Sequence, residues 1–215
     1  MQRYRIPAKK TRTEIMVVNS RFIATAAPVF SVEEAREFIH AVKQEFSDAS
    51  HNVPAFLVGF GQSVTAHCSD DGEPSGTAGR PALAVLQGSG LGDVAVVVTR
   101  YFGGTKLGTG GLVRAYTDAV KAIIEILPLA EKVPTHTVML VIPYALYEQV
   151  KLKILEFKGK VLDEDFGGDI TMSIQFQVEQ FEPFNVKLIE LSRGKIKAEI
   201  VETNPETIMP IINRS

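Results

Sequence analysis

An α+β protein of two domains is the fold class this sequence predicts, and three observations carry it. Two glycine-rich stretches each stand where an extended segment hands over to a helix. A linker-like run follows Pro128, and beyond it the order is strand, helix, strand, strand, helix, strand. Thirteen of the seventeen glycines lie between Gly59 and Gly111, so the chain accepts glycine's entropic cost mainly where tight backbone geometry is needed. That concentration marks the expected working surface.

Thr13 to Val18 and Phe22 to Ala27 read as a hairpin with Asn19-Ser20 as its turn. Ser31 and Glu34 then form a capping-box pattern. Val32, Ala35, Phe38, Ile39, Val42 and Phe46 recur with helical period behind it, which predicts a core-facing helix. Val53 to Phe60 and Val64 to Cys68 predict two further antiparallel strands leading into the first glycine-rich loop. Thr77 is positioned to cap the next helix, and Pro81 sits near its start, where a missing N–H costs little. Val94 to Thr99 is nearly unbroken Val and Ala, the pattern of a strand buried on both faces, and it delivers Arg100 beside the second loop. From Gly110 a long helix is expected to run to Leu127, where Pro128 stops it.

Leu129 to Pro134 reads as a linker. Beyond it come strand Thr137 to Ile142, helix Leu146 to Phe157, strand Lys160 to Asp165, strand Ile170 to Val178, helix Phe184 to Leu191 and strand Lys195 to Glu202. This βαββαβ order, with Asp165-Phe-Gly-Gly-Asp169 as the middle hairpin turn, fits a ferredoxin-like split βαβ domain. The expected domains are therefore 1–128 and 135–203, with 204–215 as a tail that is either a loose end or a docking strand.

At 215 residues and 45% hydrophobic composition the chain can bury an ordinary core. A lone cysteine, Cys68, excludes an internal disulfide and a thiolate zinc site, as expected in the cytoplasm. No apolar run is long enough to cross a bilayer, so no membrane partner is expected. A net charge of −2 argues against bulk nucleic-acid coating. Arg3, Arg5, Lys9, Lys10 and Arg12 all precede the first acid, Glu14, and read as either a local basic arm or a solvated terminus.

Asp70, Asp71, Gly72 and Glu73 form an acidic loop that reads either as turn chemistry or as a Mg²⁺ or acid–base site. The second loop lacks the spacing of a P-loop or a dinucleotide fingerprint. It can still hold an anion, because the backbone of Gly103, Gly104, Gly108, Gly110 and Gly111 lies at a helix start flanked by Arg100, Lys106 and Arg114. RNA phosphate is one natural ligand, with Tyr101 and Phe102 as stacking or packing aromatics and Tyr116 mostly buried. His67 and Cys68 are strand neighbours facing opposite ways, a poor catalytic dyad. The four histidines show no metal-ligand spacing, and His51, beside a central strand, is the one to watch. No catalytic residue, metal site or cofactor is assigned.

Ser69-Asp-Asp-Gly-Glu-Pro-Ser-Gly-Thr-Ala-Gly-Arg-Pro81, followed by Val98-Thr-Arg-Tyr-Phe-Gly-Gly-Thr-Lys-Leu-Gly-Thr-Gly-Gly-Leu-Val-Arg-Ala-Tyr116, closely resembles the signature of the IMPACT family, in its bacterial YigZ-like branch. The resemblance implies an N-terminal α/β domain like domain IV of elongation factor G and a ferredoxin-like domain like its domain V. It also implies a non-enzymatic, translation-associated role, with the ribosome, ribosomal RNA or tRNA, or a translation-associated protein, as partner. Eukaryotic members act in the starvation response through an RWD domain for which this sequence shows no counterpart, so that role is not carried over. The alternatives are a metal-dependent hydrolase or transferase at Asp70 to Glu73, and a protein-docking module.

Overall fold

The computed structural model describes residues 3–211; Met1, Gln2 and residues 212–215 lie outside the description. The chain divides into two compact units, one dominated by Tyr4–Glu131 and the other by Lys132–Met209. The first contains β1 (Tyr4–Pro7), β2 (Thr11–Val17), β3 (Ser20–Pro28), α1 (Val32–Glu45), β4 (His51–Val58), β5 (Thr65–Cys68), α2 (Gly79–Gly88), β6 (Val94–Tyr101) and α3 (Gly108–Ile126).

Its five-stranded sheet has the order β2-β3-β6-β4-β5, and every pairing in it is antiparallel. An antiparallel sheet usually leaves one face wet; here both faces are covered. Phe22, Ala24, Val53, Ala55, Val94, Val96 and Val98 turn to one side, against Leu112, Ala115, Tyr116 and Val120 of α3 and Ala82 and Leu86 of α2. Phe56 and Ala95 turn to the other, under Ala35 of α1. That is why the middle strand, β6, lacks polar alternation: its residues are buried from Val94 through Arg100.

Local sequence explains most boundaries. Ser31 Oγ accepts from Glu34 N at 3.0 Å while Glu34 reaches back to Phe30 N at 2.8 Å, fixing the start of α1. The hairpin turn is Val18-Asn19 rather than Asn19-Ser20, since Val17 pairs with Ser20. Ser20 is drawn into β3 because its buried hydroxyl accepts from Gly103 N at 3.2 Å, and Val18 takes the left-handed conformation (φ +54°) instead. The expected basic arm is partly tied down: Arg12 makes a two-pronged pair with Glu45 at 2.6 and 2.8 Å, Lys10 stands 3.8 Å from Glu45, and Arg3 reaches Glu179 at 3.3 Å.

The second unit follows as β7 (Leu129–Ile142), α4 (Tyr147–Glu156), β8 (Lys160–Phe166), β9 (Ile170–Gln177), α5 (Val178–Leu191) and β10 (Glu199–Pro210). Within this unit β7, β9 and β8 are neighbours in that order, with β10 also pairing β7. Alternate residues Ile170, Met172, Ile174 and Phe176 of β9 face a core shared with Val150 and Ile154 of α4 and Phe181, Phe184 and Leu188 of α5. Three expectations shift. Leu129 to Pro134 is the beginning of a long strand and not a linker, because its backbone enters a sheet. Helix α5 begins six residues before the expected Phe184 and carries Pro183 within it, where the missing N–H removes one helical bond. Residues 204–210 of the expected tail belong to β10.

Candidate functional site

The first glycine-rich stretch links β5 to α2, and its three carboxylates hold the loop together. Asp70 accepts from Gly76 N (2.8 Å), Ala78 N (3.1 Å) and Gly79 N (2.8 Å), so it caps α2. Thr77, the expected cap, donates instead to Pro74 O at 2.7 Å. Burial opposes the Asp70 charge, but the three amides and nearby Arg80 outweigh it and hold the carboxyl below its ordinary range.

Asp71 lies at φ +49° and Gly72 at φ +87°, a double left-handed turn that sends successive side chains to different partners. Asp71 Oδ2 accepts from Asn52 N at 2.6 Å, and its Oδ1 meets the Lys43 ammonium of α1. The Asp71 carbonyl lies 2.8 Å from His51 Nδ1. A carbonyl can only accept, so Nδ1 carries the proton; Nε2 lies 3.8 Å from Glu73 Oε2.

Glu73 turns inward, with 3% of its side chain exposed, and accepts from Arg100 Nη1 at 2.7 Å and from the Tyr116 hydroxyl at 2.8 Å. Tyr116 is fully buried. Burial first, and then the hydrogen bond to Glu73, push its pKa far above the ordinary phenol value, so it stays a donor. Arg100 also reaches Ser20 Oγ at 3.4 Å, and its guanidinium lies 5.4 Å from the Phe22 ring centroid and 5.6 Å from that of Phe102.

The second loop joins β6 to α3. Gly103 is required by close approach: a Cβ there would fall 1.8 Å from Asn19 O. Gly104 (φ +85°) and Gly108 (φ +71°) supply left-handed turns with open space around them. Among the described residues no side-chain hydrogen bond caps the start of α3, whose first residues include Gly108, Gly110 and Gly111, so its leading N–H groups face outward. A cavity of about 350 Å³ opens there, lined by Lys106, Gly108, Thr109 and Phe102, with Arg100 and Glu73 at its inner wall. Lys106 and Arg114 are exposed, and neither has an ion-pair partner among the described residues. Phe102 is 48% exposed.

Glu73 of the first loop meets Arg100 and Tyr116 beside the second, and the charges are divided differently from expectation. Arg100, expected to neutralise phosphate, is buried and neutralised by Glu73. Tyr101, expected as a stacking surface, donates to Asp48 at 2.8 Å with Arg21 over its ring, and that hydrogen bond is the main cause of its raised pKa. Asp70, Asp71 and Glu73 engage separate donors and do not converge; among the described residues no cluster of three His, Cys, Asp or Glu could hold a metal ion. His67 lies tilted against Phe56 with ring centroids 5.4 Å apart while Cys68 packs against the α2 and α3 core, so they face apart as read. Lys43 escaped the sequence reading, and Ser20 was read as a turn residue. No spacing links them to Asp71 or Gly103; only the folded sheet does.

Two sheets with helices, and a paired acidic and glycine-rich loop on the first, define a two-unit α/β protein built on an IMPACT N-terminal domain. The chain belongs to the IMPACT family. The Impact N-terminal domain matches residues 18–124, and a domain of unknown function, DUF1949, matches residues 140–195. The IMPACT family member YigZ of Escherichia coli is 34% identical over 94% of this chain and all of its own length. YvyE of Bacillus subtilis is 33% identical over 85% of this chain and 83% of its own. The crystal structure of a hypothetical protein, 34% identical, covers 94% of this chain and 98% of its own at a TM-score of 0.60. No helix among the described residues is long and apolar enough to cross a membrane.

Proposed function

We propose that this protein is a non-enzymatic, cytoplasmic, translation-associated binding protein that meets ribosomal RNA or tRNA at the start of α3. The observation that carries the reading is the division of charge at the two loops. Every carboxylate of the acidic loop is engaged internally, whereas Lys106 and Arg114 stand exposed beside an uncapped helix start. Phosphate is drawn to such a surface by the helix dipole, the free N–H groups and the two cations together. In this reading Lys106 and Arg114 neutralise phosphates, Gly104 and the Gly108 to Gly111 backbone permit close approach, Phe102 offers a face to a base, and Arg100 and Glu73 brace the loops. The finer fold assignment belongs to the same proposal: a first unit like elongation factor G domain IV and a ferredoxin-like second unit, for which the β8-β9-β7-β10 neighbours and βαββαβ order speak. The metal-dependent enzyme alternative has no comparable support, since its three carboxylates already have donors.

The test is cosedimentation with ribosomes and subunits across a salt series, with wild type beside the Lys106→Glu, Arg114→Glu double variant. Removing two phosphate contacts should weaken binding and flatten the dependence of log K on log salt by about 1.4 for single-stranded contacts. Binding unchanged in the variant at every salt concentration would sink the assignment.

A further inference from the structure

On the opposite face of the first sheet from α3, helix α1 packs over β4 and β6 and stops short of the sheet edge, leaving a groove of about 450 Å³ between itself and β5. We propose that this groove is a docking site for an extended, acidic segment of a partner protein, which adds to the β5 edge as a further strand. This goes beyond the RNA reading and does not depend on it.

The sheet edge supplies the first half of the argument. Strand β5 is the outermost strand, and Ser69 N donates to Pro54 O at 3.2 Å. In an antiparallel ladder, hydrogen-bonded and non-bonded pairs alternate. With Ser69 opposite Pro54 as a bonded pair, His67 opposite Phe56 is bonded too, and Ala66 and Cys68 are the residues whose N–H and C=O point away from β4. Natural edges are commonly blunted by Lys, Pro or a bulge. Thr65-Ala-His-Cys68 has none of these residues and pairs without a register shift. The strand is only four residues long, so an added strand would gain few backbone bonds from it. Side chains have to supply the remaining affinity and all of the selectivity.

The groove provides them. Its floor holds the Phe56 ring with His67 tilted over it, and Ile39 of α1 adds an apolar wall. Arg36, His40 and Lys43 line the α1 side, and none of the groove-lining residues is acidic. Lys43 is balanced by Asp71 and His40 contacts Gln44, but Arg36 is exposed and has no hydrogen-bond or ion-pair partner among the described residues. In an added strand, side chains alternate between faces. Residues turned into the groove would place an apolar side chain against Ile39 and the exposed His67 ring and a carboxylate toward Arg36. Nucleic acid fits less well, since one unpaired cation over an apolar floor offers little to a chain carrying a charge at every phosphate.

The test uses the full chain and a short fluorescent peptide alternating glutamate and valine, read by fluorescence polarisation, with a lysine and valine peptide as control. Two variants separate the contributions. Ala66→Pro removes an outward N–H and leaves the β4 ladder intact, since an edge strand tolerates proline where its N–H faces solvent. Arg36→Glu reverses an exposed charge. The expected result is binding of the glutamate peptide only, weakened roughly tenfold by Arg36→Glu and more by Ala66→Pro, at unchanged melting temperature. Equal binding of the lysine peptide, indifference to Ala66→Pro, or no binding at millimolar peptide would overturn the proposal. So would a concentration-dependent dimer abolished by Ala66→Pro, which would assign the edge to a second copy, or displacement of the peptide by single-stranded RNA. If Ala66→Pro fails to fold, the Arg36→Glu and control-peptide arms still decide.

Discussion

Substituting Glu73 tests whether the two loops are braced by a buried charge. The Glu73 and Arg100 side chains are 3% and 6% exposed and lie 2.7 Å apart, and Tyr116 donates to the same carboxylate oxygen. Glu73→Gln removes the negative charge with little change of shape, leaving the buried Arg100 guanidinium with neutral partners alone: the Gln carbonyl oxygen, the long 3.4 Å contact to Ser20 and the Phe22 and Phe102 rings. Breaking one side of a buried pair costs about 3–5 kcal/mol, because the remaining ion keeps its desolvation penalty without its partner. For a unit of this size that corresponds to a fall in Tm of roughly 10–15 °C. The chain has no tryptophan, so unfolding is followed by circular dichroism in urea, and amide exchange in β6 assigns the loss to the first unit. The double variant Glu73→Gln, Arg100→Met should recover much of the stability, since it removes the orphaned ion. A loss below about 1 kcal/mol for Glu73→Gln, within the range of an exposed pair, would refute the reasoning, as would a double variant no more stable than the single.

Tyr116→Phe deletes one donor to the buried carboxylate and should cost about 1.5–3 kcal/mol in the same urea titration. Asp70→Ala uncaps α2 and should cost about 1 kcal/mol, with exchange accelerating at Ala78 and Gly79. The Asp70 carboxyl is held below its unfolded value. Its contribution is therefore complete above about pH 4, the ordinary aspartate range, and is lost as pH falls through the lower folded value. Wild type should lose more stability than Asp70→Asn on acidification from pH 5 to pH 2. Gly103→Ala should be far more damaging than Gly104→Ala: its Cβ would strike Asn19 backbone at 1.8 Å, whereas position 104 has open space and only its left-handed φ to oppose the methyl group, about 1 kcal/mol. Melting curves of the two variants decide this.

What the sequence made legible was local. The Ser31 and Glu34 box announced α1, the Val run from Val94 announced a strand covered on both sides, and the glycine density located the loops, because each is a statement about a few neighbouring residues. What it concealed was partnership across the sheet. Arg100 reads as a free cation at a strand end until β3, β6 and α3 bring Ser20, Phe22 and Tyr116 around it. Asp71 reads as turn chemistry, which it is, and the turn's left-handed φ also aims its carboxylate at Lys43, twenty-eight residues earlier. The strand from Leu129 was hidden for a related reason: its neighbours in the sheet lie far away in the chain, and Pro134 inside it imitates a linker.

These cross-sheet partnerships decide which charges are available for function. A cation whose counter-charge is buried with it contributes little field outside the protein, since the pair presents a short dipole and not a net charge. Arg100 with Glu73 and Lys43 with Asp71 are in that state to different depths, and the Asp70 carboxylate is held as an anion by backbone amides at the start of α2. Lys106 and Arg114 are not. The acidic residues that make the first loop look like a catalytic site thus act on the second by fixing its shape and by leaving its exposed cations uncancelled. Charge reversal at Arg100 should therefore disturb ligand binding only in proportion to the unfolded fraction it creates, whereas reversal at Lys106 and Arg114 should disturb binding in a protein that melts like wild type.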